Sequence, residues 1–100
     1  MKIEERIARI KHLEQNYDEC NISIEEFKDQ IKKFKSIYPK IAELNEYYND
    51  GSFLEDYKMD EKGQIPQDLK RGILSEDAIY DLLMEFDKID QSIKELDEYF

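Results

Sequence analysis

Apolar side chains recur along the first half of the chain in alternating steps of three and four residues. With Ile3 placed at heptad position a, only Arg6 interrupts the series of d positions. Alternation sustained over about six heptads predicts one long amphipathic helix, from about residue 2 to residue 36. The predicted seam consists of Ile3, Ile10, Leu13, Tyr17, Cys20, Ile24, Phe27, Ile31, Phe34, Tyr38, Ile41 and Tyr48.

A break near residues 21–23 is the alternative for this helix. Ser23 and Glu26 have the spacing of a capping box, which could start a second helix there. The heptad phase continues unchanged across the site, and a loop has no reason to preserve it. The pattern therefore favours a continuous helix and leaves the break as a second possibility.

Pro39 is expected to interrupt the helical pattern, because it lacks an amide hydrogen and its ring restricts the residue before it. A shorter helix is predicted for residues 39–49, ended by the turn-forming sequence Asn49-Asp50-Gly51. Residues 50–74 are predicted to be irregular. They carry enough apolar side chains to form an ordered excursion, with one helical turn opened by Pro66.

A second long amphipathic helix is predicted for about residues 75–98. Ser75 is a suitable N-cap, and Leu74 and Ile79 have the spacing of a hydrophobic staple around it. The heptad series behind them consists of Ile79, Leu82, Phe86, Ile89, Ile93, Leu96 and Phe100.

These elements predict a single all-α domain over residues 1–100. The last helix is expected to pack antiparallel to the first, as a helical hairpin or a three-helix bundle. At 1.5 Å per residue the first helix is about 54 Å long and the last about 36 Å, so about 18 Å of the first seam would stay uncovered. This mismatch favours a homodimer or a protein partner that binds through the helix seams.

Charge narrows the classes of partner. Charged residues make up 40% of the chain, and its net charge is −10. Residues 1–48 have a net charge of −1 and residues 49–100 a net charge of −9. An acidic surface repels phosphate backbones and anionic lipids, so we expect neither nucleic acid nor membrane as a partner. The N-terminal residues lack the apolar core of a secretory signal, and the single Cys20 fits a reducing cytoplasm.

Lys70 and Arg71 are adjacent basic residues in the acidic half of the chain. With Gly72 allowing close backbone approach, they could hold a phosphate or a partner's carboxylate. The structural alternative, which the sequence favours, is that they pair with Asp68, Glu76 or Asp77 and fix the loop against the last helix.

An aromatic segment is the other candidate for partner binding. Tyr47, Tyr48, Phe53 and Tyr57 lie close together in sequence and, with Lys70 and Arg71, form the candidate binding residues. The sequence indicates no catalytic, cofactor or metal site. The acidic loop 55–63 lacks the order of a calcium-binding loop, and Glu43 and Glu46 form only one carboxylate pair of a magnesium-dependent nucleotide hydrolase.

Residues 47–83 resemble the signature of a family of small bacterial proteins known as a domain of unknown function. The resemblance includes Tyr47-Tyr48 and the block Asp68-Leu69-Lys70-Arg71-Gly72, followed by Leu74-Ser75-Glu76-Asp77. It implies a bacterial cytosolic helical protein and supplies no functional residues.

We therefore expect a non-enzymatic protein-interaction or regulatory module. The alternatives are a metal- or nucleotide-dependent all-α enzyme and an inhibitor of antitoxin or immunity type that blocks a basic partner.

Overall fold

The computed structural model describes residues 2–98, and these contain helices and no strand. Four α-helices are present: α1 (Ile3–Lys35), α2 (Tyr38–Asn49), α3 (Ser52–Glu61) and α4 (Ala78–Asp97), with a 3-10 turn at Gly72–Leu74. The all-α prediction is confirmed. The sequence predicts one domain, and the structure divides the chain into two compact units, the first ending at Ser36 and the second beginning at Ile37.

Helix α1 is continuous through residues 21–23, which confirms the continuous helix over the capping-box alternative. It ends next to Ser36, whose backbone N–H donates to the carbonyl groups of Lys32 and Lys33. Lysines in the last turn stabilise the negative end of the helix dipole. The helix breaks just before Pro39, which lacks an amide hydrogen and cannot continue α1 but fits the first turn of α2.

The predicted seam of α1 is exposed over most of its length. Tyr17 is 64% exposed and Ile10 is 56% exposed, whereas Ile31 is buried. Cys20, a predicted seam residue, is also exposed. The heptad pattern identifies residues that share a face, but it does not determine whether the same chain covers them.

Helix α3 corrects the prediction that residues 50–74 are irregular. The turn before it depends on Gly51, whose φ of +97° is readily adopted only by glycine. Asp50 Oδ1 accepts a hydrogen bond from the Ser52 backbone N–H at 2.8 Å, which lowers the pKa of Asp50. Helix α3 therefore begins directly after the turn, and only residues 62–77 remain largely irregular.

Helix α4 begins at Ala78, three residues later than predicted. Its N-cap is Asp77, whereas Ser75 is extended, with φ −70° and ψ 153°. Leu74 and Ile79 are nonetheless both buried, so the two predicted staple residues belong to the core of the second unit.

The buried face of α4 is rotated from the predicted heptad face. Leu82 is 47% exposed and Ile89 is 39% exposed, although both occupy predicted seam positions. The inward positions instead follow steps of four and three residues and include a carboxylate. They are Ile79, Leu83, Phe86, Asp90 and Ile93. Phe100 lies outside the described residues, and the antiparallel pairing of the first and last helices stays a prediction.

Candidate interaction site

The four candidate aromatic residues form one cluster where α2 meets α3. Phe53 lies at its centre, with ring centroids 6.1 Å from Tyr47, 5.1 Å from Tyr48 and 5.9 Å from Tyr57. All four side chains are half-buried. The rings therefore pack mainly on one another and stabilise the corner between the two helices.

Tyr47 fixes this corner with a polar contact. Its hydroxyl donates a hydrogen bond to Asp56 Oδ2 at 2.6 Å, joining α2 to α3. Burial, followed by this hydrogen bond, raises the pKa of Tyr47 to about 12. Both effects disfavour the phenolate, the first by desolvation and the second because the protonated hydroxyl is the donor.

Alkaline titration should detect this contact. Because the folded-state pKa of Tyr47 lies above the ordinary value of 10.0, its stabilising effect is complete below pH 10 and is lost as the pH rises toward 12. Tyr47→Phe should remove the highest-pH component of the phenolate absorbance and lessen the loss of stability between pH 10 and 12. Tyr80→Phe, on the exposed surface of α4, is the control and should leave that component in place. An unchanged high-pH component in Tyr47→Phe would contradict the assignment.

Lys70 and Arg71 are adjacent in sequence but have different environments. The Arg71 guanidinium forms an ion pair with Asp60 and donates to Gln67 Oε1 at 2.7 Å. The prediction that Arg71 pairs with Asp68, Glu76 or Asp77 is therefore wrong. Its observed partners hold the irregular segment to α3 and not to the last helix, although the structural role itself is the one that the sequence favours.

Lys70 borders an apolar groove of about 460 Å³ in the second unit. Its side chain is exposed, and no carboxylate within residues 2–98 lies at ion-pair distance from it. The groove combines α2, the 3-10 turn and the start of α4. It is lined by Leu44, Lys70, Gly72, Ile73, Ala78, Ile79 and Leu82.

A polar cluster between α2 and α4 was missed by sequence reasoning. The Tyr38 hydroxyl donates to Asp90 Oδ1, and Lys94 Nζ lies 3.2 Å from Asp90 Oδ2. The ring of Tyr38 contacts Phe86 edge-on, with centroids 5.5 Å apart. The hydrogen bond to Asp90 is the main cause that raises the pKa of Tyr38. Asp90 is only 8% exposed, so this cluster belongs to the core of the second unit.

The largest exposed apolar surface of α1 follows its heptad series. It is here called the α1 face and consists of Ile3, Ile7, Ile10, Leu13, Tyr17, Cys20, Ile24 and Phe27. Arg6 is the charged member of the predicted seam in this stretch. Contiguous exposed apolar surface of this kind marks sites of interaction with other molecules.

Metal sites and membrane-spanning helices are two other features that a functional site could involve. Within residues 2–98, no three His, Cys, Asp or Glu side chains are grouped so that they could hold a metal ion. Over the same part of the chain, no helix has both the length and the apolar composition of a segment that crosses a bilayer.

Comparison with known proteins identifies a family but no activity. No curated protein and no solved structure matches this chain. One family model matches residues 10–96, from the first third of α1 almost to the end of α4, which confirms the expected relation to a domain of unknown function. The chain belongs to the family described as "Domain of unknown function (DUF4298)".

Proposed function

We propose that this protein is a non-enzymatic interaction module that binds another protein chain through the α1 face. The observation that carries the proposal is the exposure of this face: its large apolar side chains are between 46% and 64% exposed over residues 3–27. Burial of apolar surface yields about 25 cal/mol per Å², so a partner helix laid along the face would be strongly favoured.

The length of α1 supports the same conclusion. Most helical stability in proteins comes from packing of an apolar face and not from intrinsic propensity. Helix α1 has 33 residues and one residue, Ile31, that is buried. The heptad pattern of α1 is suited to packing against another helix, and a partner bound to the α1 face would supply that packing.

A pair of matched variants tests the proposal. Ile10→Glu places a charge on the α1 face, whereas Ala8→Glu places the same charge on the opposite, exposed side of the helix. We expect the tagged full-length protein and Ala8→Glu to retain the same partner from the native host, and Ile10→Glu to lose it while keeping its circular dichroism. Identical recovery with all three proteins would overturn the α1 face as the binding site.

The non-enzymatic part of the proposal has its own measurement. A metal- or nucleotide-dependent enzyme should melt at a higher temperature with its ligand bound. We expect magnesium, manganese and nucleoside triphosphates to leave the melting temperature unchanged. A dose-dependent rise with any of them would favour the enzyme instead.

A second candidate function is inhibition of a basic partner, as by an antitoxin or immunity protein. The observation that favours it is the net charge of −9 over residues 49–100. Such binding should associate quickly at low salt and slow steeply as salt is added, because long-range attraction is screened. We place either function in a bacterial cytoplasm, which the single free Cys20 supports.

A further inference from the structure

We propose that the occupant of the α1 face is a second copy of α1, running antiparallel and crossing its partner near Gln15. This inference rests on the proposed function, because it identifies the partner of the same face. It is carried by the self-complementary distribution of charge along the exposed stretch of α1.

The charges of α1 change sign about its midpoint. Residues 2–13 carry four basic and two acidic side chains, a net charge of +2. Residues 17–28 carry one basic and four acidic side chains, a net charge of −3. An antiparallel dimer centred on Gln15 places each positive stretch on the negative stretch of the other copy, twice by symmetry. A parallel dimer in register places like charge on like charge.

The apolar residues fit the same register. Reversal about Gln15 brings the a positions of one helix to the d positions of the other. Ile3 then faces Phe27 of the second copy, and Leu13 faces Tyr17 of the second copy. The whole exposed stretch 3–27, about 37 Å of helix, covers itself, while the buried Ile31 lies outside the overlap.

Arg6 distinguishes the two orientations further. In a parallel dimer, Arg6 meets its own copy within the apolar seam, where two like charges are poorly solvated. In the antiparallel register, Arg6 faces Ile24 of the second copy. The two Arg6 guanidinium groups then lie about 27 Å apart along the dimer, so the repulsion between like charges within the seam is absent.

Substitution of Glu14 should have opposite effects on the stability of an antiparallel and a parallel dimer. In the antiparallel register, two Glu14 carboxylates approach each other near the two-fold axis, an unfavourable contact. In a parallel dimer, Glu14 would face Arg9 of the second copy, a favourable one. Glu14→Gln should therefore tighten the antiparallel dimer, and the same substitution would loosen a parallel one.

Light scattering and cysteine cross-linking test the proposal with the full-length protein. We expect a mass of twice the 12.1 kDa chain. The two Cys20 thiols would lie about 15 Å apart along the dimer, so mild oxidation of the unmodified protein should give no disulfide-linked dimer. Ile10→Cys should cross-link efficiently, because the introduced thiol faces Cys20 of the second copy. Ile10→Cys combined with Cys20→Ser should not cross-link.

The outcomes separate this inference from the proposed function. A Cys20-linked dimer of the unmodified protein, or cross-linking of the double variant, would show parallel pairing and overturn the antiparallel dimer. A monomer that still captures a different protein, lost only in Ile10→Glu, would overturn the second copy and leave the proposed function standing. A monomer that captures nothing through this face would overturn both.

Discussion

Ile79→Ala should lower the free energy of unfolding by about 2–5 kcal/mol, the range found when a buried isoleucine is truncated in a packed core. Ile79 is 2% exposed and lies in the first turn of α4. Its side chain also borders the groove formed with α2 and the 3-10 turn. Truncation removes contacts to α2 and to the 3-10 turn at once. It leaves a cavity, because these connected elements cannot move together enough to fill the space.

The size of this effect matters because small domains are only marginally stable. Typical free energies of unfolding are about 5–15 kcal/mol, so the loss would be a large share of the total. Urea denaturation followed by circular dichroism measures it, and Ile73→Ala is the matched control. Ile73 is 49% exposed in the same groove, and its truncation should cost under about 1 kcal/mol. Equal losses in the two variants would contradict the placement of Ile79 in the core.

The long helix was the most predictable element of the fold. Its heptad phase continues through residues 21–23, and α1 is unbroken there. Helix α3 was missed because it has only ten residues, too few for a clear period, and because Gly51 and Gly63 flank it. The Arg71–Asp60 ion pair could not be predicted without α3, since the helix places Asp60 where the guanidinium can reach it.

Which face of α4 is buried could not be predicted from the sequence of α4 alone. A heptad assignment is based on apolar residues. It therefore placed Leu82 and Ile89 on the buried face of α4 and the charged Asp90 on the exposed face. The structure buries Asp90 because Tyr38, distant in sequence, supplies a hydroxyl donor. A buried carboxylate is stable only with such partners, and the Tyr38 hydroxyl, one of its partners, belongs to another helix. The candidate aromatic residues of 47–57 are close in sequence, but their mutual packing depends on α3.

Removal of the hydroxyl and removal of the carboxylate of the Tyr38–Asp90 hydrogen bond should lower the free energy of unfolding by unequal amounts. Tyr38→Phe removes a hydrogen-bond donor to a buried carboxylate and should lower the free energy of unfolding by about 1.5–3 kcal/mol, the range for hydrogen bonds to charged groups. The ring keeps its edge contact with Phe86, so packing is preserved. Lys94 offsets little of the loss, because its side chain is 62% exposed and such ion pairs contribute about 0–1 kcal/mol.

Removing the carboxylate as well should restore most of that stability. In Tyr38→Phe/Asp90→Leu, apolar groups replace both partners, a change that is often neutral or stabilising in a core. Asp90→Leu alone should cost less than Tyr38→Phe, because Tyr38 is 36% exposed and its hydroxyl can turn to water. Urea denaturation of the three variants and the parent protein gives the coupling free energy directly. Additive losses in the double variant would show that the hydrogen bond does not stabilise the buried carboxylate, and the packing of α2 on α4 would then depend on apolar contacts alone.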